Sequence, residues 1–132
     1  MLTLLKIVFF SFIIASVLGC ASQKAHHHAA HMHHEYTEKI KEAIKPLGMH
    51  EDCMELMPNQ MLDYSFESSN SLNFNIHYHD DSEIIYLVIA DNTFKEHGSF
   101  CPEKQQYYCL MWTNPHNEIV NISYTYTARQ MQ

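Results

Sequence analysis

The sequence has little glycine and little positive charge. Only three glycines occur in 132 residues, and it contains no phosphate-binding glycine loop, nucleophile elbow or His-Glu-x-x-His motif. Eight Lys and Arg residues stand against fifteen Asp and Glu residues, whereas binding to nucleic acid needs a basic stripe. We therefore expect neither an enzyme nor a nucleic-acid-binding protein.

The first twenty residues have the pattern of an export signal. Lys6 supplies a positive charge, and residues 7–18 form an apolar run that is too short to span a bilayer alone. Val17-Leu18-Gly19-Cys20 resembles the lipobox of bacterial lipoproteins, which implies cleavage before Cys20 and its acylation. Because Ala21 follows instead of aspartate, the resemblance implies the periplasmic face of the outer membrane. The alternative is an ordinary cleaved signal, and disulfides can form in either case.

Histidine is the residue in excess, with eleven in the chain. We predict residues 21–35 to be a tether, and six imidazoles lie within nine of its positions: His26, His27, His28, His31, His33 and His34. Such a cluster binds Zn²⁺, Cu²⁺ or Ni²⁺ at neutral pH, and protons compete as the pH falls through about 6.5. The tether therefore predicts a Zn or Cu site. The alternative is a solvated spacer whose metal affinity is incidental.

Residues 36–48 predict one amphipathic helix. Apolar side chains recur there at helical spacing, at Tyr36, Ile40, Ala43, Ile44 and Leu47. Pro46 and Gly48 would end the helix. Its apolar stripe is expected to dock on the domain that follows.

Residues 49–132 predict a β domain, and its clearest strand is 72–79. Leu72, Phe74, Ile76 and Tyr78 alternate there with Asn73, Asn75, His77 and His79, as in a strand with one buried face. A strand at 62–67 is expected before it, joined by a turn at 68–71.

Three further strands are expected in the same domain. Residues 83–90 read as a strand covered on both faces, 91–98 as a loop, and 105–113 and 120–128 as two more strands. Together these patterns predict a mainly β fold, a small antiparallel jelly-roll-like β-sandwich preceded by one amphipathic helix.

His77 and His79 are the candidate metal ligands of the domain. At positions i and i+2 they lie roughly 6 to 7 Å apart along one face, so they could share an ion with a third ligand. His97, His116 or Glu83 could supply that ligand. The alternative is a pair of exposed strand histidines that only hydrogen-bond to their neighbours.

Three cysteines remain when Cys20 is set aside as the lipid site. Pairing Cys53 with Cys109 closes a long loop, worth roughly 4 kcal/mol, whereas pairing Cys101 with Cys109 closes a short one, worth roughly 2.5 kcal/mol. We favour the Cys53–Cys109 bridge. Cys101 is then expected to be a thiol or a ligand.

Several of these residues resemble the GOLD domain of the emp24/p24 family. Cys53 precedes the first strand, Tyr108-Cys109 is followed by Trp112 and Asn114, and the last strand alternates. The resemblance covers about residues 53–128. It implies a jelly-roll-like β-sandwich with a role in partner recognition and no catalytic residues. The chain lacks the coiled-coil and transmembrane segments of that family, so cargo transport is not implied.

A weaker similarity concerns copper. Cys109, Met111 and His116 are similar to the copper loop of cupredoxins, although the spacing from cysteine to histidine is longer here. Such a site would require Cys109 to stay outside a disulfide.

The sequence as a whole predicts an extracytoplasmic lipoprotein that binds Zn or Cu for buffering or handover. Its expected partners are the membrane, through the lipid anchor, the metal ion and an envelope protein. The alternative is a GOLD-like envelope interaction module with no specific metal role.

Overall fold

A computed structural model describes residues 39–131 and shows six antiparallel strands. They are β1 (Ile40–Ile44), β2 (Met49–Leu56), β3 (Gln60–Asp80), β4 (Glu83–Phe100), β5 (Gln106–Thr113) and β6 (Val120–Gln130). The predicted mainly β class is confirmed. Within residues 39–131 there is no helix, and hence none that could cross a membrane. The predicted signal and tether lie outside the described residues.

The long strand β3 organises the sheet, whose order is β1-β6-β3-β5-β2. The first half of β3 pairs with β6, from Gln60 to Ser68, and the second half pairs with β5, from Asn73 to Tyr78. Strand β4 pairs with both halves of β3. One curled sheet with two halves therefore replaces the separate short strands expected from the sequence.

The two halves meet at a bend in β3, where a turn was predicted. That prediction is wrong, because the strand continues through residues 68–71 with a register shift between Glu67 and Leu72. Polar side chains satisfy the backbone at the bend: the Ser68 hydroxyl donates to the Asn70 carbonyl at 2.7 Å, and the Asn70 Oδ1 accepts from the Ser71 N–H at 2.8 Å. The bend lets one strand belong to both halves.

The core lies between the two halves of the curled sheet. The predicted inward faces are confirmed at Leu72, Phe74 and Ile76 of β3, and Tyr78 is partly buried beside them. Alternate side chains of β5 and β6 are also buried, at Tyr108, Leu110, Trp112, Val120, Ile122 and Tyr124. Further along β6, Tyr126 is partly buried and Ala128 is exposed. Side chains from both halves therefore share one core.

The helix predicted at 36–48 is wrong over its described part. Ile40–Ile44 form β1, which pairs with β6, and a turn follows before Met49. The β-branched Ile40 and Ile44 fit a strand as well as a helix, and pairing with β6 decides between the two. Residues 36–38 lie outside the described part of the chain.

The strand expected to be buried on both faces is an exposed one. Residues 83–90 and the predicted loop 91–98 together form the single strand β4, in which Ile84 is 44% and Ile89 64% exposed. The described residues provide β4 with only one neighbour, β3. An apolar run indicates a strand, but it does not say how many neighbours the strand has.

Candidate functional site

The outer face of the second half of the sheet carries a row of chemically active side chains. Strand pairing sets Cys53 of β2 opposite Cys109 of β5, and Cys109 opposite His77 of β3. Glu51 lies two positions before Cys53 and therefore on the same face of β2. Three neighbouring strands thus place one carboxylate, two sulfurs and one imidazole side by side.

His77 lies deeper than the sequence predicts, with only 2% of its surface exposed. Its Nδ1 lies 2.8 Å from Asn75 Oδ1, and its Nε2 lies 3.2 Å from Glu51 Oε1. The rings of His79 and Tyr86 pack against it, with centroids 5.3 and 5.7 Å away. Each ring nitrogen therefore faces one oxygen, and a neutral imidazole can donate its single N–H to only one of the two.

The charge state of His77 follows from this burial. Desolvation lowers the pKa of His77 below its ordinary value of 6.5, the Glu51 carboxylate opposes that shift, and the His79 ring adds to it. Burial therefore favours the neutral imidazole, which carries a single N–H. A neutral imidazole is the form that binds metals.

The structure brings together some of the predicted ligands and separates others. His77 and the exposed His79 are neighbours. His97 pairs with Ser65 in the first half of the sheet, and the His116 ring is held by Ser71 through contacts of 2.8 and 3.2 Å. Glu83 lies at the β3–β4 turn, opposite Asp80. His26, His27, His28, His31, His33 and His34 lie outside the described residues.

The predicted Cys53–Cys109 disulfide is present, with an S–S distance of 2.05 Å. A blue-copper site on Cys109 is excluded, because that sulfur is not a thiolate. The Glu51 carboxylate and the two sulfurs lie within 4.8 Å of one another, yet the bonded sulfurs offer no charge to a metal. Cys101 is also disulfide-bonded, so its predicted state as a thiol or ligand is wrong.

A second polar cluster, on the inner side of the sheet, was missed from the sequence. The Tyr124 hydroxyl of β6 donates to Asp52 Oδ2 at 3.0 Å and accepts from His50 Nε2 at 2.8 Å. His50 and Asp52 alternate with Glu51 and Cys53 along β2, and this alternation was the available signal. Because β2 and β6 belong to different halves, the cluster joins the two halves.

The state of Tyr124 makes this connection sensitive to high pH. Burial, followed by the hydrogen bond to Asp52, raises the pKa of Tyr124 well above its ordinary value of 10.0. Above that ordinary value the unfolded chain loses the phenolic proton while the folded chain keeps it. Stability contributed by Tyr124 is therefore complete below about pH 10 and is lost as the pH rises further.

We expect Tyr124→Phe to lower the free energy of unfolding by about 1 to 2 kcal/mol at pH 7, because Asp52 and His50 lose a partner. The variant should also lose less stability than the wild type between pH 9 and 11, in urea unfolding followed by circular dichroism. Tyr107→Phe, at an exposed position, is the matched control and should leave both values unchanged. An equal alkaline loss in the wild type and Tyr124→Phe would contradict this account.

A groove on the first half of the sheet has a volume of about 670 Å³. Lys41 and Lys95 line it together with Glu42 and Glu67. The two lysines and two glutamates balance in charge, so the groove favours neither an anion nor a cation.

Searches among protein-family models and among curated proteins found no match to this chain.

Proposed function

We propose that this protein is an extracytoplasmic metal-binding protein that holds Zn or Cu for buffering or handover. The observation that carries the proposal is the group of six histidines within nine positions of residues 26–34. The domain supports it with His77, His79 and Glu51, which lie together on one face. A dense set of neutral imidazoles binds borderline transition metals without a preformed cage.

The domain offers a second and weaker place for the ion. Two ligand atoms of a tetrahedral zinc ion lie roughly 3.3 Å apart when both are nitrogen or oxygen, and the Glu51 Oε1 to His77 Nε2 distance is 3.2 Å. His79, exposed beside them, is the third donor. His97 and His116 take no part, since their side chains lie on other parts of the sheet.

The test replaces all six tether histidines by glutamine in the processed chain and compares it with the wild type by zinc titration calorimetry. We expect most of the bound zinc to be lost, and about one weak equivalent to remain on the domain. Adding His77→Gln and His79→Gln should remove that equivalent. Binding by the wild type should fall as the pH drops below about 6.5, because protons compete for imidazole nitrogen.

Full zinc binding by the tether variant would overturn the proposal. His97→Gln and His116→Gln together are the matched control for the domain, because they remove two imidazoles that the structure keeps away from His77.

The proposed location is the cell envelope, with a lipid on Cys20 that holds the chain at the periplasmic face of the outer membrane. Cys53 and Cys109 are bonded to each other and Cys101 is also disulfide-bonded, so a lipid on Cys20 requires Cys101 to pair with a cysteine outside this chain. A sulfur in a lipid thioether cannot also join a disulfide. The intact mass of the processed chain shows whether Cys20 carries the lipid. An acylated Cys20 supports the anchor, and a Cys20 found in a disulfide overturns it.

The exposed apolar side chains of β4 favour a second function, binding to another protein. The resemblance to GOLD domains supports the same proposal. Five large apolar side chains of β4 are exposed: Ile84, Tyr86, Leu87, Ile89 and Phe94. The proposed occupant is a second copy of the chain, because Glu83 and Lys95 lie equally far on either side of Ile89. Antiparallel pairing about Ile89 would then match opposite charges. Two results together would favour this function: the tether variant binds zinc as the wild type does, and the protein forms a dimer that Ile89→Lys dissociates.

A further inference from the structure

We propose that the Cys53–Cys109 disulfide controls a zinc site, which opens on reduction and is formed by both cysteine thiolates, Glu51 and His77. The inference rests on the proposed function, since it adds redox control to the metal site of the domain. Glu51, Cys53 and Cys109 already lie together, and His77 Nε2 lies 3.2 Å from Glu51 Oε1. Strand pairing aligns Cys53, Cys109 and His77, and the Glu51 carboxylate lies within 4.8 Å of both sulfurs.

The hydrogen bonds of His77 suit a ligand. Its Nδ1 lies 2.8 Å from Asn75 Oδ1, so a proton on Nδ1 can be donated to that oxygen. This tautomer leaves the Nε2 lone pair free, and Nε2 is the atom 3.2 Å from Glu51 Oε1. A ligating histidine commonly donates its other N–H to a nearby oxygen, which fixes the ring. The site therefore has its supporting bond in place.

The opening step is thiol–disulfide exchange with a dithiol reductant. Cys53 is exposed whereas Cys109 is 4% exposed, so a reductant thiolate attacks the Cys53 sulfur and Cys109 leaves as thiolate. The second thiolate of the reductant attacks the mixed disulfide, releases the Cys53 thiolate and leaves as the oxidised reductant. Two electrons and two protons pass to the protein in total.

Zinc then replaces the two protons on the sulfurs. Cys109 lies between Cys53 and His77 across the sheet, so its released side chain can turn toward the imidazole. Two thiolates, one carboxylate and one imidazole make a four-ligand set of the kind zinc takes. Transfer of two electrons from the thiolates to a disulfide oxidant restores the bridge and releases Zn²⁺, and the oxidant takes two protons from water to become a dithiol.

The test uses the processed chain with all six tether histidines replaced by glutamine, so that the tether does not contribute. Co²⁺ serves as the spectroscopic probe and is added to the oxidised and the reduced protein. We expect thiolate-to-cobalt charge-transfer bands, saturating at one equivalent, in the reduced protein alone, because only free thiolates give them. Zinc should displace the cobalt and bind at least about tenfold more tightly after reduction.

Variants identify the ligands. Replacing both Cys53 and Cys109 by serine in one variant should abolish the charge-transfer bands. Glu51→Gln and His77→Gln, each made alone, should weaken cobalt binding about 10- to 100-fold. Cys101→Ser and Glu55→Gln are the matched controls and should bind cobalt as before, since Glu55 lies on the same face of β2 but contacts Gln105 instead. Bands that persist without Cys53 and Cys109, or no bands after reduction, would overturn the proposal.

Loss of the bridge can also unfold the domain, and zinc should then refold it. The circular dichroism of the reduced and the oxidised chain is therefore measured with and without zinc, and zinc should raise the melting temperature of the reduced chain more than that of the oxidised chain. A reduced chain that stays unfolded in zinc overturns the proposal. The proposed tether function is tested separately, because it is measured with the wild-type tether and oxidised cysteines.

Discussion

Replacing Trp112 by alanine is expected to lower the free energy of unfolding by about 3 to 5 kcal/mol, as is usual for a large buried aromatic side chain. The Trp112 ring packs against Phe66 and Phe74 of β3, with centroids 5.8 and 5.4 Å away, and against Tyr124 of β6 at 4.5 Å. It is 1% exposed. Urea unfolding followed by circular dichroism measures the loss.

Two further variants separate packing from hydrogen bonding at this position. The indole Nε1 of Trp112 is buried and has no hydrogen-bond partner among the described residues, so Trp112→Phe removes an unpaired donor. We expect it to cost clearly less than Trp112→Ala. Phe94→Ala, at a 64% exposed position, should change stability by no more than about 0.5 kcal/mol. A loss below about 1 kcal/mol for Trp112→Ala would mean that this ring does not hold the two halves together.

The sequence predicts the inward faces of the strands well, because alternation reports directly which side chains are buried. Period two gives the buried face of β3 at Phe74 and Ile76, and it puts Leu110 and Trp112 of β5 on one shared face, which is buried in the structure. The Cys53–Cys109 bridge also follows, from the larger loop that it closes. These features depend on one strand or one pair at a time.

Features that depend on the neighbours of a strand are not predictable in this way. The apolar run of β4 gives the same pattern whether the strand is central or at an edge, and Ile89 is exposed because only β3 pairs with it. In the same way, Ile40–Ile44 become a strand because β6 is available to pair with them. Both outcomes are set by tertiary contacts that local periodicity does not contain.

The candidate site shows the same division. Alternation along β3 correctly places His77 and His79 on one face. The proximity of Glu51 to His77 depends on β2 lying two strands away across β5, which no local pattern encodes. The His50–Tyr124 contact likewise needs the two halves to face each other. The sequence therefore predicts single ligands, whereas strand order determines which ligands meet.

Asn114→Ala should lower the free energy of unfolding by about 3 to 5 kcal/mol, because it empties a fully buried position and removes the amide that donates to three carbonyl groups, one of them buried and two partly buried. Asn114 is fully buried, and its Nδ2 donates to the carbonyls of Ile44, Lys45 and Glu118 at 3.1, 3.0 and 2.8 Å. Its Oδ1 accepts from the His116 N–H at 2.9 Å. One side chain therefore fixes the end of β1 against the β5–β6 connection.

The matched control is Asn117→Ala, which changes an exposed asparagine in the same connection and should alter stability by no more than about 0.5 kcal/mol. Asn114→Asp is the sharper test. It keeps the size of the side chain but replaces the Nδ2 donor by an acceptor that faces three carbonyl groups, so it should cost at least as much as alanine. If Asn114→Asp were as stable as the wild type in urea unfolding, the donated hydrogen bonds would not be what holds this junction, and the loss in Asn114→Ala would have to come from packing.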